Sequence, residues 1–192
     1  MAKNRLTKVS FSFILFISIV TAQSNTVSAE KNPKHQYVGT EKQSHLTVYW
    51  HDKLSGHNPT SVSIVRPPPY PNNNASYFGA VQMIDNKLTL DGDPKSKSIG
   101  QAQGFYALAS LDPTDFALLM VMNFYFTEGK YKGSTLEIIG RNAALNKVRE
   151  LSVVGGTGLF RFARGYALLS TRKFDNKTGD AIVKYDLYVM HY

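Results

Sequence analysis

The chain has 192 residues, a formal net charge of +8 and no cysteine. This length suits a single domain, with or without a targeting segment. The lack of cysteine excludes a disulfide scaffold, a thiolate metal site and a cysteine nucleophile. Hydrophobic residues make up 43% of the chain and charged residues 19%, which is ordinary for a globular protein, and the aromatic share of 12% favours β-structure.

The first 29 residues have the pattern of a secretory signal peptide. Three basic residues precede an apolar run over residues 9–22, and this run is shorter than the roughly 20 residues that cross a bilayer. Cleavage is expected after Ala22 or Ala29, and the short run disfavours the alternative of a retained signal anchor. Removing residues 1–29 takes away three basic and no acidic residues, so the net charge falls from +8 to +5.

The remaining chain divides into a flexible polar lead-in, residues 30–44, and a folded domain, residues 45–192. Two N-glycosylation sequons in turn-rich segments, at Asn74 and Asn176, agree with secretion. The basic residues are dispersed and no nucleic-acid-binding motif accompanies them, so neither a nucleic-acid partner nor a membrane partner is expected. We expect the mild positive charge to serve solubility or attraction to an acidic matrix.

Alternation of polar and apolar residues predicts strands along the folded domain, in chain order. The first strand covers residues 46–51, and the proline-rich residues 66–74 then predict a long loop. Further strands are predicted at residues 76–85, 98–111, 116–127, 134–140, 147–154, 164–174 and 181–191. The apolar run at 116–127 could also form a helix, but its aromatic density favours a strand.

About eight strands joined by turn residues predict an all-β domain. The regular spacing and even number of strands favour an eight-stranded antiparallel up-and-down β-barrel, because closing the sheet removes its exposed edges. Side chains or one small ligand fill the interior of a barrel of this size.

No metal site or cofactor is predicted. The five histidines are not spaced like zinc ligands, and no Gly-x-Ser-x-Gly nucleophile motif occurs. The Gly-Gly-Thr-Gly sequence at 155–158 lacks the following lysine and the helix of a phosphate-binding loop, so it indicates a tight turn.

Asp52 and Arg149 are the charged candidates for site chemistry. Asp52 follows His51 at the end of a predicted strand, where partial burial would raise its pKa and suit it to general acid catalysis. Alternatively, Asp52 hydrogen-bonds the turn amides near residues 55–56. Arg149 lies within a predicted strand, where it either points inward with a carboxylate or phenolate partner or is an exposed strand charge.

Several motifs resemble those of the plant dirigent family, and together they cover nearly all of the domain, from about Leu46 to Tyr192. They are HDKLSG at 51–56, AQGFYA at 102–107, MNFYF at 122–126, GSTLEIIGRN at 133–142, VRELSVVGGTGLFRFARGYA at 148–167 and YDLYVMHY at 185–192. The resemblance implies an eight-stranded β-barrel that is secreted to the plant apoplast, is glycosylated and forms homo-oligomers, either trimers or dimers.

The resemblance also implies that the protein itself carries out no oxidation. In the family, an external oxidase or laccase makes phenoxy radicals from a monolignol such as coniferyl alcohol, and the dirigent protein directs their coupling in lignan-type biosynthesis. Some members, such as pterocarpan synthase, act instead on a quinone methide and close a ring with loss of water. Three alternatives stay open: a stereochemical guide, a quinone-methide cyclase or dehydratase, and a passive carrier of aromatic metabolites.

Carried over residue by residue, the resemblance implies three site residues. Asp52, the acid of the HD motif, would protonate or hydrogen-bond the carbonyl oxygen of a quinone methide. Arg149 would stabilise a phenolate or orient Asp52, and Tyr106 would orient a ring through its hydroxyl group. Lignan-forming relatives often carry a second acid where this chain has Asn142, so a two-acid mechanism is not expected and the substrate stays open.

Overall fold

The computed structural model describes residues 39–66 and 77–192. The predicted signal peptide and the sequon at Asn74 lie outside these residues. Within them there are nine strands: β1 (Lys42–Asp52), β2 (Ser61–Val65), β3 (Val81–Thr89), β4 (Ser98–Leu108), β5 (Ala117–Phe126), β6 (Thr135–Ala143), β7 (Arg149–Thr157), β8 (Arg164–Phe174) and β9 (Ala181–His191). Two short 3-10 helices cover Gly129–Tyr131 and Gly158–Phe160. No helix in the described part of the chain is long and apolar enough to span a membrane.

Eight of the strands, β1 and β3 to β9, close into an antiparallel barrel. Each strand from β3 to β9 pairs with its neighbour along the chain, β9 pairs with β1, and β1 pairs with β3. The closing pairs are Tyr49 with Thr89, Trp50 with Leu88 and His51 with Lys87. The eight-stranded antiparallel barrel predicted from the sequence is therefore confirmed.

The short strand β2 was not predicted from the sequence. It has only five residues, and its burial is the reverse of the usual pattern, since Ser61 is buried while the apolar residues that follow are exposed. It pairs with the first half of β3, while β1 pairs with the second half, so β1 and β2 form one interrupted edge along β3. The loop at 53–60 leaves this edge and returns to it. Its base is closed by hydrogen bonds from Thr60 N and Ser61 N to the Lys53 carbonyl oxygen, at 2.8 and 3.0 Å.

The other strands differ from the prediction mainly at their ends. β8 and β9 have the predicted bounds, whereas β3 lies later in the chain than the predicted 76–85. β1 begins at Lys42, within the predicted lead-in, because its first residues pair with the end of β9, Lys42 opposite His191. Pairing partners far along the chain, which local alternation does not reveal, decide where these strands begin and end.

The barrel interior is filled by apolar side chains from alternate positions of each strand. In β5 the buried inward residues are Leu118, Met120, Met122, Phe124 and Phe126. The outward residues Leu119 and Tyr125 are also apolar or aromatic but are exposed. Because both faces of β5 are apolar, its sequence shows a continuous apolar run rather than an alternation, and the prediction of a strand over a helix is confirmed.

The two ends of the barrel differ in character. At one end, the rings of Phe126, Tyr131 and His191 surround Phe160, with centroids 5.9, 4.7 and 5.1 Å from its ring. We call this the aromatic end. The opposite end, where β1, β4, β6 and β8 finish and β3, β5, β7 and β9 begin, carries Asp52 and Arg149, and we call it the polar end.

Candidate functional site

A buried carboxyl group lies at the polar end of the barrel. Asp52 is the last residue of β1 and shares the inward face of that strand with Trp50, because side chains alternate along a strand. Ser61 begins β2, Asn86 lies in β3 and Tyr106 lies in β4, and all three point toward Asp52. The Asp52 side chain is only 7% exposed.

Asp52 accepts its hydrogen bonds from neutral donors. Ser61 Oγ and Asn86 Nδ2 donate to Oδ1, the latter at 3.0 Å, and the Tyr106 hydroxyl donates to Oδ2 at 3.2 Å. Burial raises the pKa of Asp52, while these three hydrogen bonds oppose the rise. No ion pair within the described residues involves Asp52. A buried carboxyl group of this kind keeps its proton to higher pH, as a general acid requires.

The alternative role considered for Asp52, hydrogen bonding to the turn amides, belongs to Asp180. Asp180 Oδ1 accepts hydrogen bonds from Leu54 N at 2.9 Å and Ser55 N at 3.0 Å, and Oδ2 accepts one from Ser55 Oγ at 2.7 Å. Asp180 directly precedes β9, so it ties the 53–60 loop to the β8–β9 hairpin. Asp52 is therefore not needed to hold this turn.

Arg149 points inward at the start of β7 and is 6% exposed. Its Nε donates to Asn142 Oδ1 at 3.1 Å and its Nη1 donates to the Asn146 carbonyl oxygen at 3.3 Å. Within the described residues, no carboxylate lies within 4.0 Å of its guanidinium group. Burial lowers the pKa of Arg149, and the guanidinium still carries its charge, as arginine does in proteins. An unpaired buried cation of this kind can stabilise an anion such as a phenolate.

Asn142 explains why this cation has no partner. It is uncharged and buried against Arg149, at a position where the family resemblance implies an acid in lignan-forming relatives. The two residues meet where β6 and β7 separate, since the ladder between these strands ends at the pair Ile139 and Ser152. A carboxylate at position 142 would neutralise Arg149, whereas the amide leaves the positive charge available.

Tyr185 was not among the predicted site residues, although it interacts electrostatically with both charged groups. It is fully buried in β9, and its hydroxyl group has no hydrogen-bond partner among the described residues. Burial raises the pKa of Tyr185, the positive charge of Arg149 opposes the rise, and the carboxylate of Asp52 adds to it. The hydroxyl group is therefore protonated and within electrostatic range of both residues. The alternation in β9, which puts Tyr185 on the same face as Leu187, is a sequence signal that could have identified it.

Aromatic rings line the interior beside these polar groups. The Trp50 ring contacts Tyr106 and Tyr185 edge to face, with centroids 6.4 and 6.3 Å apart, and Phe124 lies 5.2 Å from Tyr185. Edge-to-face arrangements are favourable for aromatic pairs, and the same surfaces can orient a bound phenolic ring.

Of the three predicted site residues, the structure joins Asp52 and Tyr106 and keeps Arg149 apart from them. Arg149 does not orient Asp52 by direct contact, because its side-chain hydrogen bonds go to residues 142 and 146. Asn86 was missed, although a polar residue on the same strand face as Ile84 and Leu88 is a detectable signal.

A groove of about 460 Å³ leads to Asp52 from outside the barrel. Its walls include His51, Lys53, Thr60 and Lys87, together with the turn between β8 and β9. No group of three or more His, Asp or Glu side chains in residues 39–66 and 77–192 is arranged to hold a metal ion. The site as described can donate a proton or a hydrogen bond to an oxygen atom, stabilise an anion and hold an aromatic ring.

Comparisons with known proteins agree with this fold. Residues 43–190 match the family model described as Dirigent-like protein. Dirigent protein 7 from Arabidopsis thaliana is 49% identical over 180 residues, which cover 93% of this chain and 94% of the relative. Pterocarpan synthase 1 from Glycyrrhiza echinata is 41% identical and is covered completely, as is this chain. The solved structure of a pterocarpan synthase dirigent protein superposes with a TM-score of 0.71 at 43% identity, covering 79% of this chain and 86% of that one. The family model matches most of the chain, and the solved relative has the same barrel fold. This protein therefore belongs to the dirigent family.

Proposed function

We propose that this protein directs the stereochemistry of phenolic coupling in lignan-type phenylpropanoid biosynthesis. It binds a monolignol radical or the quinone methide formed from it, and an external oxidase or laccase supplies the radical. The observation that carries this proposal is the buried Asp52, held by neutral donors at the end of an aromatic-lined barrel.

The chemistry that we assign to Asp52 acts on a quinone methide. Asp52 donates its proton, or a strong hydrogen bond, to the carbonyl oxygen, and the ring regains aromaticity as the exocyclic carbon becomes electrophilic. A hydroxyl group of the same molecule attacks that carbon and closes a new ring. The proton released by this hydroxyl group returns to the Asp52 carboxylate, so the protein is unchanged at the end.

Arg149 has a different role in this proposal, because it does not contact Asp52. Its uncompensated positive charge stabilises the negative charge that develops on a phenolic oxygen. Stereocontrol needs little energy from such contacts, since a tenfold preference between two competing transition states corresponds to about 1.4 kcal/mol. A few fixed contacts therefore suffice to select one face of the reacting carbon.

A second candidate function is that of a pterocarpan-synthase-like cyclase or dehydratase. One observation favours it, since the pterocarpan synthase from Glycyrrhiza echinata matches over the whole chain. The family resemblance also favours it, because it implies a second acid in lignan-forming relatives where this chain has Asn142. The third alternative, a passive carrier, is disfavoured by the buried acid and the buried cation, since a carrier of apolar metabolites needs neither.

The experiment that tests the proposed function compares two reactions. In the first, purified protein is incubated with coniferyl alcohol and a laccase, and the products are separated by chiral chromatography. We expect a changed ratio of stereoisomers at an unchanged rate of alcohol consumption. In the second, the protein receives an isoflavanol precursor that forms a quinone methide, without oxidant, and cyclisation here would favour the second candidate. Racemic products in the first reaction together with no acceleration in the second would contradict both functions.

We also propose that the chain is secreted to the apoplast and glycosylated. The basic start and apolar run of residues 1–22 support secretion, and Asn176 is exposed in the turn between β8 and β9, where a glycosylating enzyme can reach it. N-terminal sequencing of protein secreted from plant cells should find a start after Ala22 or Ala29. A mass decrease on enzymatic deglycosylation should be partly lost in Asn176→Gln.

A homo-oligomer is the third part of the proposal. The outer face of β4 to β7 carries an apolar groove of about 340 Å³, lined by residues such as Ile139 and Val154. Asn123 Oδ1 in this groove is buried and has no hydrogen-bond partner in the part of the chain that the structure describes. A second copy of the chain would cover the apolar groove and supply the missing donor.

Paired charge substitutions test this interface. Val154 and Val148 are each 57% exposed, but only Val154 lines the groove. We expect Val154→Asp to reduce the molar mass measured by sedimentation and Val148→Asp to leave it unchanged. A wild-type monomer at micromolar concentration would contradict the proposed oligomer.

A further inference from the structure

Two hydrogen-bond donors inside the barrel have no acceptor within residues 39–66 and 77–192. They are Trp50 Nε1 and the Tyr185 hydroxyl group, which find no partner in the described part of the chain, and the two residues are 4% and 0% exposed. Buried donors are almost always paired in folded proteins, because an unpaired donor has lost its hydrogen bonds to water. Two buried donors without acceptors on residues whose rings are in contact therefore need an explanation.

The two residues lie close together and beneath Asp52. β1 and β9 are neighbours, with Trp50 opposite Val183 and Val48 opposite Tyr185. The Trp50 and Tyr185 rings meet edge to face at 6.3 Å. Trp50 is two residues before Asp52 on the same inward face of β1, so the donors lie one step deeper in the barrel than the carboxyl group.

The chemistry of the two donors limits what can pair with them. An indole N–H donates and cannot accept, and the protonated Tyr185 hydroxyl group here lacks an acceptor. A ligand hydroxyl group would bring a further donor into the same apolar surroundings, which include the Phe124 ring at 5.2 Å from Tyr185. An ether oxygen accepts without donating, and its methyl group suits apolar neighbours.

We propose that Trp50 and Tyr185 form a recognition point for the methoxyl oxygens of a phenolic ligand whose reacting oxygen is held by Asp52. This inference deepens the proposed function, on which it rests for the phenolic nature of the ligand. The donor pair makes the barrel selective for methoxylated rings over rings that carry only the phenol. Tyr185 is thus a specificity-determining residue, and its hydroxyl group, which has no acceptor among the described residues, donates to the ligand.

The single tryptophan of the chain is Trp50 itself, so its fluorescence reports binding at this point directly. We would titrate the protein with coniferyl alcohol, which has one methoxyl group, and with p-coumaryl alcohol, which has none. Wild type should bind coniferyl alcohol roughly tenfold more tightly, the effect of about one buried hydrogen bond. In Tyr185→Phe this preference should largely disappear.

The melting temperature separates this proposal from a structural role of Tyr185. Tyr185→Phe removes an unpaired polar atom and keeps the ring, so its melting temperature should equal or exceed that of wild type. The matched control is Tyr131→Phe at the aromatic end, which should keep the preference for coniferyl alcohol.

Three results would overturn the proposal. They are a lower melting temperature in Tyr185→Phe, a retained preference in that variant, and equal binding of the two alcohols by wild type. The last comparison changes only the ligand, so it decides the question even if the variant fails to fold. Failure of the proposed function looks different, since racemic coupling products together with an intact binding preference would leave the recognition point in place.

Discussion

The aromatic and polar ends of the barrel use buried polar groups in opposite ways. At the aromatic end, His191 is buried but has partners, since its Nε2 lies 2.9 Å from Ser44 Oγ and its ring packs against Phe160. At the polar end, the Arg149 guanidinium has no anionic partner and the Tyr185 hydroxyl group has no acceptor among the described residues. In the function proposed above, one end of the same barrel serves stability and the other interaction with a ligand, and unpaired buried groups cost stability.

This comparison predicts which measurement each substitution should change. Substitutions at the polar end should alter products and binding while the protein stays folded. Substitutions at the aromatic end should lower the free energy of unfolding while the folded fraction keeps its selectivity. This difference between the ends would be contradicted by a polar-end substitution that only lowered the free energy of unfolding. It would also be contradicted by an aromatic-end substitution that changed the selectivity of the folded fraction.

The largest effect is expected for Asp52→Asn, which removes the proton donor. The introduced side chain would keep the local hydrogen bonds, because its oxygen can accept from Ser61 and Asn86 and its amide can donate to the Tyr106 oxygen. We expect cyclisation or stereoselective coupling to fall by about 10²–10⁴-fold, the usual contribution of a general acid. Chiral product analysis and melting temperature, measured on one preparation, check this.

A matched control for this variant is Asp85→Asn, in the same sheet but on an outward-facing position of β3. It should leave both the product ratio and the melting temperature near those of wild type. Unchanged products combined with a lower melting temperature in Asp52→Asn would show that Asp52 is structural.

The next largest effect is expected for Phe160→Ala at the aromatic end. Phe160 is completely buried and contacts three rings. Truncating a buried phenylalanine costs about 3–5 kcal/mol in the free energy of unfolding, because it removes buried apolar surface and leaves a cavity. Urea denaturation measures this loss, and the product ratio per folded molecule should stay the same. A changed ratio in the folded fraction would mean that the two ends are coupled.

A smaller effect is expected for Asn142→Asp, which gives Arg149 an anionic partner. The new ion pair would neutralise the guanidinium that is available to a phenolate. We expect the affinity for a phenolate ligand such as p-nitrophenolate to fall roughly tenfold, or about 1.4 kcal/mol. The control is Asn146→Asp, which adds the same charge at an exposed position beside the site and should change the affinity much less.

The smallest effect concerns the pH dependence of stability. Because burial raises the pKa of Asp52, the folded state binds more protons than the unfolded state between the ordinary value of 3.8 and the raised value. The contribution of Asp52 protonation to the free energy of unfolding is fully present below pH 3.8, and it is lost as the pH rises through the raised pKa. The free energy of unfolding of Asp52→Asn minus that of wild type should therefore increase with pH over this range. A difference that is independent of pH would contradict the raised pKa.

The sequence predicted the barrel well because the information lies in local alternation and in turns. The inward residues of β9 and β1 follow a period of two along most of each strand. β2 was missed because it has only five residues and its apolar residues are exposed, so its place in the sheet depends on its pairing with β3. Strands whose exposed residues are apolar or whose bounds depend on a distant partner are the ones that local patterns do not define.

The site was predicted in part, and the missing residues share one physical reason. The motifs identified Asp52, Tyr106 and Arg149 but not the partners that closure of the barrel brings to them. Asn86 lies 34 residues from Asp52 along the chain, and Asp180 lies 126 residues from the Leu54 amide that it holds. The order of the strands around the barrel also determines that Asp52 and Arg149 make no direct contact. The spacing of motifs along the chain does not reveal that order.

The interrupted edge formed by β1 and β2 allows the 53–60 loop to differ between related proteins while the barrel stays the same. The 53–60 loop starts and ends at one point of the barrel wall, where the Thr60 and Ser61 amides both donate to the Lys53 carbonyl oxygen. Residues can therefore be inserted or replaced in it without shifting the register of β1 or β2, because the base stays the same. The entropic cost of a longer loop rises only slowly with its length. Since the loop begins beside Asp52 and forms a wall of the groove that leads there, chains with one barrel and one acid can present different openings to different phenols.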